Sequence, residues 1–268
     1  MSDMKVQRRS GKPASDRHPV QALPSFLALV LVGGLLLSGC ATHPDPEADP
    51  EGYAEYLETN DPIEPFNRGV FAFNRGLDKF LLTPLAIFYK DILPPPIQRG
   101  THNVLQNLQE PVTFFNNLLQ GEPERAATTL GRFAVNTTIG VAGINDFASD
   151  FGWEFRLEDF GQTLAVWGVE SGPYLMLPVL GPSNPRDGVG RAVDSLILDP
   201  FGLLGAIVFR ESDFLTIFSI TRFVLTAADQ RARVFDEFEE LERTSLDFYA
   251  AVRSAYRQNR DHEIKLRD

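Results

Sequence analysis

The sequence predicts an all-α fold, a single domain of many short helices with a longer helical pair at its C-terminal end. Three observations carry that reading. Apolar residues recur every three or four positions, proline and glycine cut the chain at short intervals, and alternating strand patterns are scarce. The first helix opens at Asp61-Pro62-Ile63-Glu64, with Asp61 as N-cap, Pro62 in the first helical position and Glu64 completing a capping box. Phe66, Val70, Phe73, Leu77 and Phe80 then form one apolar face, and Pro84 is expected to stop the helix. Further breaks fall at Pro94-Pro95-Pro96, Glu110-Pro111, Gly121-Glu122-Pro123, Gly172-Pro173, Gly181-Pro182 and Asp199-Pro200. Between them helices are expected near 62–82, 85–92, 97–109, 111–119, 123–138, 143–149, 159–167 and 185–198, followed by the longer pair near 212–240 and 244–260. Tyr174 to Val179 reads as extended.

Ahead of this domain the chain carries a different signal. Lys5, Arg8, Arg9, Lys12 and Arg17 precede an apolar run from about Leu23 to Leu37, which ends in Ser38-Gly39-Cys40. A basic segment, a short apolar core and small residues make a secretory signal. The cysteine at its end resembles a bacterial lipobox, in which the thiol receives a diacylglycerol and residues 1–39 are removed. The alternatives are a free buried thiol or an uncleaved anchor helix. Met4 is a second candidate start, and Ala41 lacks the aspartate that retains such lipoproteins in the inner membrane, which favours the outer one. Residues 40–60, rich in Pro, Asp and Glu, cannot bury enough apolar area to order themselves and read as a tether. The domain is expected over 61–260, with a charged tail at 261–268.

Charge and composition exclude several functions. Residues 1–39 hold five basic side chains against Asp3 and Asp16, so their removal takes the formal charge from −11 to −14. Such a surface suits neither nucleic acid nor polybasic attachment to anionic lipid, which leaves acyl chains and apolar surface to hold the protein to a bilayer. Cys40 stands alone, so no internal disulfide forms. No run after Cys40 reaches the roughly 18–20 apolar residues of a spanning helix. His102 is the one histidine inside the expected domain and reads as a solvated or hydrogen-bonded structural residue. Gly168-Val169-Glu170-Ser171-Gly172 is no nucleophile elbow, and nucleotide loops and zinc-ligand clusters are missing, so the chain is not expected to be an enzyme or to carry a cofactor beyond the lipid on Cys40. Phenylalanine is abundant, at 21 residues, and either fills the core or faces lipid. The acidic run Asp236, Glu237, Glu239, Glu240 and Glu242 is either a solvated face or a docking site for a basic partner.

Asparagines stand inside or beside the apolar segments. Asn67, Asn74, Asn103, Asn107 and Asn136 either cap helices and satisfy core groups, or line a polar path for a lipid head group. Gly140 and Gly143 supply either flexibility for a gating turn or tight helix packing.

Several of these residues sit in motifs that resemble a known family. Asp61-Pro62-x-Glu64-x-Phe66-Asn67-Arg68, Asn103-x-x-x-Asn107-Leu108-x-Glu110-Pro111, Arg132-Phe133-x-x-Asn136-Thr137 and Gly140-x-x-Gly143-x-x-Asp146 occur in order. Asp159-Phe160-Gly161-Gln162-Thr163-Leu164, Gly172-Pro173-Tyr174-x-x-Leu177-Pro178 and Gly181-Pro182-Ser183-x-x-Arg186-Asp187 continue the series. Together they resemble the MlaA (VacJ) family of outer-membrane lipoproteins from Asp61 to about Pro200, with a weaker match from Asp247 to Arg260. Arg75 departs from the pattern, where family members can carry an apolar aromatic. The resemblance implies a ring of helices in the inner leaflet of the outer membrane around an amphipathic channel, often beside a trimeric porin. It implies withdrawal of mislocalised phospholipid from the outer leaflet and delivery to a soluble periplasmic carrier that feeds an inner-membrane ABC transporter. The alternative is a non-catalytic envelope scaffold associated with porins.

Overall fold

Helix α1, Glu64–Leu77, does not begin as its sequence predicts. Its N-cap position is Ile63, which offers no side-chain cap, and Pro65 stands in the first turn. Asp61 is drawn inward instead, where it accepts hydrogen bonds from Asn67 Nδ2 at 2.7 Å and Arg253 at 2.8 Å, and one from the Tyr249 hydroxyl. Tertiary partners outcompete a local cap because a buried carboxylate gains more from a guanidinium than from one backbone N–H. The computed structural model describes residues 59–201 and 213–265, together with 48, 50 and 53, all within the compact unit Ala41–Asp268. The expected signal at 1–39, Cys40 and most of the 40–60 tether lie outside the described residues.

Pro84 does not end the first helix. A π-turn, Asp78–Leu82, carries the chain into α2, Thr83–Ile92, with the Thr83 N–H bonded to the Asp78 carbonyl. The wider turn restarts the helix with Pro84 in its first turn, where no N–H is required. Then follow α3, Pro95–Asn107; α4, Glu110–Leu119; α5, Pro123–Thr138; the single turn α6, Phe147–Asp150; and α7, Phe160–Val166. Asp159 and Gln162 form a full capping box at α7. Strand β1, Leu175–Leu177, lies within the stretch read as extended and pairs antiparallel with β2, Gly181–Ser183, just beyond it, with Met176 opposite Pro182. Helix α8, Pro185–Val193, runs through a second π-turn, Asp194–Leu198.

The C-terminal region corrects the expected pair. Three helices stand there: α9, Asp213–Arg233; α10, Phe235–Thr244; and α11, Phe248–Lys265. Val234, with φ −98° and ψ 17°, breaks the predicted 212–240 helix. Helix α11 runs past the expected domain end at 260 to Lys265, because Arg260 is tied inward to Asp159 at 2.6 Å and Asp187 at 2.9 Å. The acidic run on α10 is largely spent on neighbours, with Asp236 on Lys90 at 3.1 Å, Glu239 on Arg231 at 3.1 Å, and Glu242 on Arg75 and Lys79. Arg75, the departure from the family pattern, also lies over the Phe248 ring at 4.8 Å.

Burial is inverted relative to a water-soluble domain. Among the described residues, twenty polar or charged residues are buried against ten hydrophobic ones, and no phenylalanine is buried. The apolar core proper is a small cluster of Tyr174, Met176 and Tyr249, flanked by Val70, Phe71 and Tyr256. The aromatic surplus faces outward, with Phe80 88%, Phe214 71% and Phe151 63% exposed. Helix α9 packs along α2 and α3, so the exposed faces carrying Phe88, Ile92, Ile97, Ile217, Ile220 and Phe223 lie on neighbouring helices. Both π-turns repeat the theme. Each begins with an inward aspartate, Asp78 or Asp194, and presents an exposed apolar pair, Phe80-Leu81 or Leu196-Ile197.

Candidate functional site

Asn67 and Asn74 stand seven residues apart on α1, two turns along one face. Seven helical residues rise about 10.5 Å, and three strand residues span about 10 Å. The two amides therefore match backbone groups three residues apart on the hairpin. Asn67 Nδ2 donates to the Tyr174 carbonyl at 3.1 Å and its Oδ1 accepts from the Met176 N–H at 2.9 Å. Asn74 repeats the pattern, donating to the Leu177 carbonyl at 2.9 Å and accepting from the Val179 N–H at 2.8 Å. Asn67 is fully buried. These side chains substitute for a missing neighbouring strand, and they hold Val179 in a left-handed conformation at φ 68°, an outlier for a β-branched residue.

The other predicted positions converge on a second strained turn. Val141, Ala142 and Gly143 have φ of 56°, 57° and 89°, which replaces the expected helix at 143–149 with a left-handed turn followed by the short α6. Asn136, in the last turn of α5, braces it: its carbonyl accepts the Gly143 N–H at 2.8 Å, its Oδ1 accepts the Ala148 N–H at 3.0 Å, and its Nδ2 donates to Asp146 at 2.7 Å. Asn103 donates to the Ile144 carbonyl at 3.0 Å and Asn107 to the Thr137 hydroxyl at 3.0 Å. A Cβ on Gly140 would lie 2.3 Å from the Asn145 carbonyl oxygen and 2.4 Å from that of Asn136; one on Gly143 would lie 2.6 Å from the Asn107 Cβ. Close packing is thus an observed requirement at both glycines. The tips carry exposed apolar side chains, Val141 and Ile144 on one turn, Val179 and Leu180 on the other.

Next to the turn at 141–143 the interior is charged. Arg132 on α5 donates to Glu110 at 2.7 Å and to both Asp146 oxygens at 3.2 Å, and it also reaches the Trp153 carbonyl. Burial pushes the Glu110 carboxyl up to about 7 in spite of Arg132, because that guanidinium is shared with Asp146, whose charge raises it further. Burial would also raise Asp146, but Ser149, Asn136 and Arg132 outweigh it and hold it below the usual range. His102 rests against Asp229 at 2.7 Å, beside the Tyr89 hydroxyl at 3.0 Å from the same carboxylate.

A cavity of about 530 Å³ opens between α4, α8, α9 and α11. Six carboxylates and three arginines line it, with Val112, Leu157 and Leu180 as apolar wall. Arg260 and Asp187 form one edge, where the Tyr256 hydroxyl donates to Asp187 at 2.6 Å. Burial would raise Asp187, but Arg260, Tyr256 and Arg186 keep it below the ordinary range. Gly161 and Gly190 let α7 and α8 meet closely there, since a Cβ on Gly190 would lie 2.3 Å from the Gly161 nitrogen. Sequence reasoning did not single out Arg191, Asp194 or Arg222 as site residues, and Asp159, Asp187 and Arg260 entered it only as part of the family resemblance. The available signal was charge placed within or just before helices that otherwise carry small and apolar residues. Among the described residues no group of three or more His, Cys, Asp or Glu side chains could hold a metal ion.

A helical protein that buries arginine–carboxylate pairs and leaves many phenylalanines and aliphatic side chains exposed belongs to the class whose surface suits an apolar medium. Among the described residues no helix is long and apolar enough to cross a membrane. The chain belongs to the MlaA lipoprotein family, whose model matches residues 59–263, as its motifs led us to expect. It is 33% identical to the intermembrane phospholipid transport system lipoprotein MlaA of Haemophilus influenzae, over 87% of this chain and 88% of that one. The protein of the same description from Escherichia coli K12 is 32% identical, over 88% and 87%. Among solved structures, one from work on the structural basis for maintenance of bacterial outer membrane lipid asymmetry superposes with a TM-score of 0.63 at 34% identity, covering 76% of this chain and 98% of the other.

Proposed function

We propose that this protein is an outer-membrane lipoprotein that withdraws mislocalised phospholipid from the outer leaflet and passes it through its polar interior toward the periplasm. The inverted burial carries the reading. Apolar side chains on α1, α2, α9 and the two π-turns are positioned to meet acyl chains, while a charged interior offers head groups the partners that hydrocarbon lacks. The relatives described as intermembrane phospholipid transport lipoproteins support it. Cys40 supplies the anchor through its acyl chains, each buried methylene contributing about 0.8 kcal/mol. The lipid leaves for a soluble periplasmic carrier that feeds an inner-membrane ABC transporter, and the exposed apolar faces not covered by lipid rest against a trimeric porin.

The reading is tested by outer-leaflet phospholipid content, assayed with an outer-leaflet acyltransferase in cells lacking the protein and in cells given wild-type or Cys40→Ala protein. Removal should raise outer-leaflet phospholipid, and only the lipidated form should restore it. Unchanged content in the deletion strain would reject the function.

A further inference from the structure

Two charged side chains in the cavity make no ion pair among the described residues. Arg222 pairs with Asp199 at 2.7 Å and Arg260 with Asp159 at 2.6 Å, but the Arg191 guanidinium is held by two backbone carbonyls, Leu180 at 3.3 Å and Pro182 at 3.1 Å. Among the described residues no carboxylate lies within ion-pair distance of Arg191. Asp194 is the complementary case, because its oxygens accept from neutral donors, the Asn116 amide and the Phe160 N–H, each at 2.9 Å. Both residues line the same cavity and stand three positions apart across the junction of α8 and the π-turn. That spacing places them on one face, with Cβ atoms about 5–6 Å apart. They do not pair with each other, since the hairpin carbonyls turn the guanidinium aside. A cation and an anion held apart in one cavity match a ligand with the opposite order of charge.

We propose that this cavity receives the head group of a zwitterionic phospholipid of the phosphoethanolamine type, with its phosphate on Arg191 and its ammonium against Asp194, and that it disfavours head groups of net negative charge. The proposal rests on the lipid-handling reading above. A cavity of this size takes a head group and glycerol rather than two acyl chains, and the exposed Leu157 and Leu180 at its wall offer the chains an apolar exit. The lining as a whole holds six carboxylates against three arginines. A net-neutral head group meets no net repulsion in such a field, whereas an anionic one meets repulsion that a partly buried site screens less than water does.

The test uses the full-length lipidated protein reconstituted in vesicles of equal phosphatidylethanolamine and phosphatidylglycerol, extracted in mild detergent and washed, with retained lipid identified by mass spectrometry. Retained phosphatidylethanolamine should exceed phosphatidylglycerol by about tenfold, equivalent to about 1.4 kcal/mol. Arg191→Gln should lose lipid of both kinds, Arg191→Lys should keep most of it, and Asp194→Asn should bring the ratio toward one. The wild-type ratio is the primary result and does not depend on any variant folding. Lipid retained in the vesicle ratio would overturn the selectivity while leaving the lipid-handling function intact. No retained lipid of either kind would overturn both.

Discussion

Replacing Asn67 by alanine separates an anchoring role from a lipid-lining one. The side chain is fully buried and serves three partners: Asp61, the Tyr174 carbonyl and the Met176 N–H. Asp61 retains Arg253 and Tyr249 after the change, so its loss counts little. The two backbone groups are left buried and unsatisfied, at about 1–3 kcal/mol each. Asn67→Ala should therefore cost about 4 kcal/mol, a fall in Tm of roughly 8–16 °C for a domain of this size. Asn74→Ala, half-buried at the hairpin tip, should cost less. Thermal melts in detergent give the first number, and hydrogen exchange at Met176 and Val179 shows whether the hairpin has come loose. A lipid-lining asparagine would behave differently, sparing Tm while lowering lipid transfer. An Asn67→Ala protein that melts within 2 °C of wild type would refute the anchoring argument.

Three further outcomes follow from the same geometry. Gly140→Ala pushes a Cβ to 2.3–2.4 Å from two backbone oxygens that cannot swing away, so it should destabilise by about 3 kcal/mol or more, measured by denaturant unfolding in detergent. Arg260→Met strips a buried guanidinium from Asp159 and Asp187 and should cost about 3–5 kcal/mol; limited proteolysis should then cut α11 first, and an unchanged digestion pattern would contradict the tie. Glu110, raised from 4.5 to about 7 by burial, binds its proton more tightly folded than unfolded, so its contribution to stability falls as pH rises from 4.5 to 7. Glu110→Gln should flatten that part of the Tm-against-pH curve. Asp146 and Asp187, held low, act in the opposite sense only in more acidic solution, as pH falls below the ordinary carboxylate range.

Helix positions were legible in the sequence because proline and glycine act locally. Most predicted segments match observed helices to within two or three residues, and the family could be read from motifs spread over the domain. The misplacements have a common cause. Asp61 left its cap for Arg253 and Tyr249, Pro84 was accommodated by a π-turn, and the 143–149 segment became a left-handed turn braced by Asn103, Asn107 and Asn136. In each case a contact with a residue distant along the chain, or an unusual backbone turn, overrode a local preference worth about 1 kcal/mol.

By itself the sequence determined the helical class, the punctuation and the abundance of phenylalanine, and it set the expectation of a lipid anchor at Cys40. Periodicity cannot tell which side of an amphipathic helix faces inward when the surroundings are apolar, because the same stripe packs equally well against a core or against lipid. Only the tertiary structure decided that Phe80 and Phe214 point out, that Glu110, Arg132, Asp187 and Arg260 point in, and that Asn67, Asn74, Asn103 and Asn136 bind backbone. Charges distant in the chain can be buried only if they meet, and where Asp159, Asp187 and Arg260 meet is set by how α7, α8 and α11 pack.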